Sequence, residues 1–134
     1  MAIKINVNKP KEDFDIGGVI VTGVLDDSSI KEVLDQKESK LTDKAEKLKE
    51  EFDKAEETSE NYDLFAKRTI ELYDKVYAPL FSDGAVIKVY EEINDILATI
   101  DAFEQALDYL MTKVSKEREA NRKKKIKKYM QPKK

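Results

Sequence analysis

Cysteine, histidine and tryptophan are all missing from these 134 residues. Without thiolate or imidazole there is no Cys-His or Ser-His-Asp nucleophile system, and no Cys/His site for zinc, haem or an iron–sulfur cluster. A disulfide framework is excluded too, which suits a reducing compartment. No apolar run approaches the ~18–20 residues of a membrane span, and Met1–Pro10 lacks the apolar centre and cleavage site of a signal peptide. The expectation is a cytoplasmic protein with no membrane partner, no cofactor and no metal. A length of 134 residues also leaves no room for a second full domain.

Charge is abundant instead. Asp, Glu, Lys and Arg make up 40% of the chain, against roughly 25% in an average soluble domain. The signs are segregated: residues 113–134 carry 11 basic and 2 acidic side chains (+9), and residues 1–112 carry 14 basic and 26 acidic (−12), for a net −3. Such a dipolar chain suits electrostatic contact with an acidic partner or with another copy of itself. The organisation expected is one domain over residues 1–114 and a basic helical extension or mobile tail over 115–134.

The start, Ala2 to Asn8, alternates apolar and polar with the period of a strand. Phe14-Asp15-Ile16 and Val19 to Leu25 flank Gly17-Gly18 as a hairpin would. Without a following Gly-Lys-Ser/Thr, Gly17, Gly18 and Gly23 read as turn glycines rather than a phosphate loop. Ser29 and Glu32 fit a capping box for a first helix over about 30–57. Its Leu34, Leu41 and Leu48 recur every seven residues, with Phe52 on the second seam position, a narrow stripe that seeks one partner helix. That partner is either the next helix of the same chain or another molecule.

Residues 56–61 prefer caps and solvent and read as a loop. Tyr62, Phe65, Thr69, Leu72, Tyr73, Val76, Tyr77 and Leu80 give a second helix over about 61–78, which Pro79 is placed to end. Ser82-Asp83-Gly84 makes a corner, with Ser82 or Asp83 as cap to the next helix. The run from Val86 through Val89, Tyr90, Ile93, Leu97, Ile100, Phe103, Leu107 and Leu110 to Val114 fits one long helix over about 84–114, or two joined near Asn94-Asp95. The last fifteen or so residues are expected to fray, because like charges repel and little apolar surface is buried there. The class is α+β, mainly helical: a small N-terminal β element, three helices and a basic tail.

The adjacent carboxylates at Asp26/Asp27, Glu50/Glu51, Glu56/Glu57 and Glu91/Glu92 raise the question of acid/base chemistry. Successive helical positions diverge by about 100°, so such pairs do not converge on a substrate. They read as solvated faces, and no catalytic residue is assigned. Arg122, Lys123, Lys124, Lys125, Lys127 and Lys128 invite a nucleic-acid reading through phosphate neutralisation. The −12 body repels the same phosphates, so this stands as the alternative, beside an adaptor that dimerises through the first helix.

Leu80-Phe81-Ser82-Asp83-Gly84 leading into a helix with Tyr90, behind an N-terminal β segment and ahead of a Lys/Arg-rich C-terminal helix, resembles the tail assembly chaperones of long-tailed phages and related prophages. Leu80, Phe81, Gly84 and Tyr90 are the matching positions, and Ser82 stands where that family often has Gly. The resemblance implies a non-enzymatic protein that coats the tape-measure protein, keeps it soluble, helps recruit tail-tube subunits and forms homo-oligomers. It also implies two product lengths through a −1 ribosomal slip, for which Lys133-Lys134 and the earlier lysine runs supply suitable codons. The seam of Leu34, Leu41, Leu48 and Phe52 is then the expected surface for self-association or partner binding.

Overall fold

The computed structural model describes residues 2–4 and 10–130, and the side chains of all of these except 117, 118, 121 and 124–130. Two antiparallel strands, β1 (Lys11–Ile16) and β2 (Val19–Val24), precede the helices. Residues 2–4 carry no strand, and the rest of the predicted first strand lies outside the described residues. Gly17 and Gly18, both at positive φ (60° and 91°), make the two-residue turn that places Ile16 opposite Val19. Both central residues of such a turn need positive φ, which is why glycine stands twice. Gly23 is no turn residue. It lies inside β2, where an added Cβ would sit 2.9 Å from Leu110 and 3.0 Å from Phe81, so the strand lies tight against the helices.

The first predicted helix is a composite of α1 (Asp27–Gln36), one wide π-helical turn (Lys37–Leu41) and α2 (Thr42–Asp53). It starts at Asp26, not at a Ser29/Glu32 box. Asp26 is the cap residue, its carbonyl accepts the Ile30 N–H at 3.0 Å, and the Ser29 hydroxyl donates back to its carboxylate at 2.8 Å. The inward positions from Val33 on are Lys37, Leu41, Ala45, Leu48 and Phe52. Three steps of four residues turn a regular α-helix face by about 40° each, and the wider π turn takes that drift back.

After a loop, α3 (Ser59–Phe81) forms the spine. Thr58 caps it by accepting the Asn61 N–H at 3.1 Å. Pro79 does not end it: the helix continues through Phe81, and Ser82, at φ 75° and ψ 160°, reverses the chain. That conformation belongs to glycine and holds about 1–3 kcal/mol of strain in any other residue. The third predicted helix is two, α4 (Ala85–Ile93) and α5 (Ile96–Met130). Asn94 stops α4 in the left-handed region, and Asp95 caps α5 through the Ala98 N–H at 2.9 Å.

The core lies where β2, α1, α4 and α5 close around α3. Tyr77, Phe81 and Phe103 meet there with ring centroids 5.2–6.0 Å apart, and Phe14 from β1 packs edge-on to Phe81. Fully burying each such ring contributes about 1.5–3 kcal/mol. Of the two forms expected for the basic segment, a helical extension or a mobile tail, α5 gives a helix as far as Met130, and the last four positions lie outside the described residues. Beyond Val114, every residue whose side chain is described is exposed. No helix among the described residues is long and apolar enough to cross a membrane.

Candidate functional site

The seam predicted for self-association faces α3 of the same chain. Leu41 is buried at 6% exposure, Leu34 packs against the core, and the Phe52 ring lies 5.3 Å from that of Phe65. Leu48 is half-buried beside them. Of the two partners the stripe could seek, the structure supplies the intramolecular one, because α3 is tethered by a short loop and pairs at no translational cost. Arg68 of α3 seals the outer edge, over the Phe52 ring at 5.8 Å and 3.3 Å from the Glu51 carboxylate.

The corner of Leu80, Phe81, Gly84 and Tyr90 is a structural joint. Leu80 and Phe81 are core residues, and Gly84 takes φ 86° as the residue before α4. Neither Ser82 nor Asp83 caps that helix. The cap comes from α3: the Asp74 carboxylate, 7% exposed, accepts the Gly84 N–H at 2.9 Å and the Val86 N–H at 3.0 Å. A carboxylate there satisfies two otherwise orphaned donors and lies at the positive end of the helix dipole. Tyr90 is half-buried against a hollow of about 410 Å³ between α3 and α4. Desolvation, followed by the nearby Asp63 carboxylate, raises its phenol above the usual value of 10.0.

The open surface lies elsewhere. Two hollows, of about 550 and 490 Å³, flank a ridge made by Tyr62 and Phe65 on α3. The first reaches to Phe52 and Lys49 on α2 and has Asp53, Glu56 and Glu57 on its rim. The second is closed by Leu97 and Ile100 at the start of α5, with Asp95 at its edge and Thr69 on its floor. Leu97 is 79% and Tyr62 64% exposed. Together the two hollows form an acid-rimmed apolar trough with four carboxylates and one ammonium among its lining residues. The Thr69 hydroxyl is buried and has no hydrogen-bond partner among the described residues.

Sequence periodicity placed both Tyr62 and Leu97 in the core. Leu97 fits a stripe continued from Ile93, but the break at Asn94-Asp95 restarts the phase. The buried residues of α5 are then Thr99, Phe103, Ala106, Leu107 and Leu110. The signal was the Asn-Asp pair itself, a helix stop followed by a helix cap.

The adjacent carboxylates Glu50/Glu51, Glu56/Glu57 and Glu91/Glu92 are solvent-exposed, and Asp26 is engaged by Ser29. No group of three or more potential metal ligands exists among the described residues. The basic residues Arg122 and Lys123 lie exposed on the free half of α5, while Lys124, Lys125, Lys127 and Lys128 continue the same helix.

Residues 22–134 match a family of unknown function (DUF6673). The chain belongs to that family. The DUF6673 match begins within β2 and takes in all five helices, so the trough, the corner and the basic end of α5 all fall inside it. No curated protein and no solved structure matches the chain.

Proposed function

We propose that this protein is a non-enzymatic assembly chaperone that acts in phage or prophage tail morphogenesis in the host cytoplasm. It binds the long helical tape-measure protein, keeps it soluble and helps recruit tail-tube subunits. The observation that carries this reading is the pair of neighbouring apolar hollows that share Tyr62 and Phe65, with Leu97 exposed in the second and carboxylates on the rim. An amphipathic helix presents anchors at i, i+3, i+4 and i+7, and a trough of this kind accepts such a stripe without a deep pocket. The corner adds support: Ser82 stands where the resembling family often has Gly, and its φ of 75° is one that glycine favours.

The test is co-expression with a tape-measure protein encoded beside this gene. Wild-type chain should hold that protein in the soluble fraction, and Leu97→Asp, a change at an exposed position, should leave it in the pellet. A client that pellets equally with both, or a gene neighbourhood without tail-tube and tape-measure genes, overturns the reading. The exposed Arg122 and Lys123 on α5, at the start of a lysine-rich sequence, favour a second reading, nucleic-acid binding, which duplex affinity at physiological salt decides.

A further inference from the structure

We infer that the two hollows take a cationic amphipathic helix of the client, one whose apolar stripe is flanked by lysine or arginine. The inference rests on the proposed function and names the chemistry of the segment bound. The turn between α2 and α3 and the joint between α4 and α5 lie at one end of the bundle, where Tyr62, Phe65 and Thr69 share a hollow with Asn94, Asp95 and Leu97. Residues 50–63 bring seven carboxylates and one ammonium to that end, and residues 91–101 bring four carboxylates and no base. All of these charged side chains are exposed, and they account for ten of the twelve net negative charges of residues 1–112.

Helix stability does not explain this acidic pole. Carboxylates stabilise helix N-termini and cost stability at C-termini, where the dipole is negative. Yet Glu50, Glu51 and Asp53 close α2, Glu91 and Glu92 close α4, and neither helix has a basic residue in its last turn. Local rules broken in this way are expected at functional surfaces. Leu97 and Tyr62 stand exposed among these carboxylates. A partner has to cover apolar side chains and neutralise charge at once, and a helix with an apolar stripe between basic flanks does both. The second hollow also reaches Thr69, a side chain 9% exposed whose hydroxyl has no partner among the described residues and can accept a hydrogen bond from an entering ammonium. The phosphates of a nucleic acid are repelled by the same carboxylates.

The experiment measures fluorescence anisotropy of labelled synthetic peptides of about 18 residues, roughly five helical turns, against the full-length protein at about 0.1 M salt. One peptide has leucine at i, i+3, i+4 and i+7 and lysine elsewhere. The second has the same composition scrambled to remove the stripe, and the third keeps the stripe with glutamate in place of lysine. The striped leucine/lysine peptide should bind about tenfold or more tightly than either of the others. Leu97→Asp adds a negative charge and removes an apolar contact, so it separates binding in the hollows from bulk attraction. It should weaken the striped basic peptide about fivefold or more, and Glu56→Gln/Glu57→Gln should weaken it as well, both with melting temperatures like wild type. A scrambled peptide that binds equally well, or a Leu97→Asp variant that binds more tightly than wild type, overturns the inference. So does a wild type that is oligomeric before peptide is added and dispersed by it, because a second copy then holds the surface. A leucine/glutamate peptide that binds as well as the basic one overturns the charge assignment while the co-expression result stands, so the two readings fail separately.

Discussion

Replacing Asp74 by alanine strands two backbone N–H groups at once, those of Gly84 and Val86, at a corner where water has little access. Hydrogen bonds to a charged group contribute roughly 1.5–3 kcal/mol each, so losing both in Asp74→Ala should lower unfolding stability by about 3–6 kcal/mol in a urea titration. Tyr77 works in the opposite sense. Its ring is fully buried, and its hydroxyl has no partner among the described residues. Burial, then Glu104, Tyr73 and Asp108, raise its phenol far above the usual 10.0. The folded state therefore keeps a proton that the unfolded chain sheds above about pH 10, and its contribution to stability is intact below that pH and declines above it. Tyr77→Phe keeps the ring contacts and removes both effects. It should raise the melting temperature at neutral pH and flatten the alkaline loss of stability, with Tyr73, which is shifted the same way, left as the remaining slope.

Along the first helical stretch the π turn accommodates one surplus residue. Deleting Ser39, which is exposed within that turn, leaves inward positions spaced alternately by three and four from Val33 to Phe52. The shortened chain should fold with a regular α-helix and a melting temperature within a few degrees of wild type. Deleting Glu46 inside α2 instead turns Leu48 and Phe52 by about 100° away from α3 and should destabilise clearly, as thermal unfolding by circular dichroism will show. Much of this layout was legible in the residues. The Gly-Gly hairpin, the loop before α3 and a possible joint at Asn94-Asp95 all follow from local preferences that the tertiary structure leaves intact. The π turn was not legible, because Leu34, Leu41 and Leu48 satisfy a heptad whether or not a turn widens between them. Nor was the Asp74 cap, since a carboxylate ten residues from its N–H partner leaves no local pattern. Pro79 misled for a related reason: close to a helix end its missing hydrogen bond costs little, and the core contacts of Leu80 and Phe81 outweigh it. The trough stayed hidden because Tyr62 and Leu97 have the spacing and the chemistry of core residues while standing in solvent.

For the molecule as a whole, α5 divides into a half that closes the core and a half that stands clear of it. Phe103, Leu107 and Leu110 are buried, whereas the described residues after Val114 are exposed. Removing residues 124–134 should therefore shift the melting midpoint by no more than a degree or two, whereas a truncation before Phe103 should abolish cooperative melting. Calorimetry on the two shortened chains separates these outcomes. The same arrangement also has a consequence for synthesis. Phe103 covers Tyr77 and Phe81 in the folded protein, with centroids 5.9 and 5.2 Å away, yet it is made 22 residues after Phe81. At about 5–20 residues per second the aromatic face of α3 waits roughly 1–4 s at the ribosome before its cover emerges, so the nascent chain is most prone to wrong contacts during that interval.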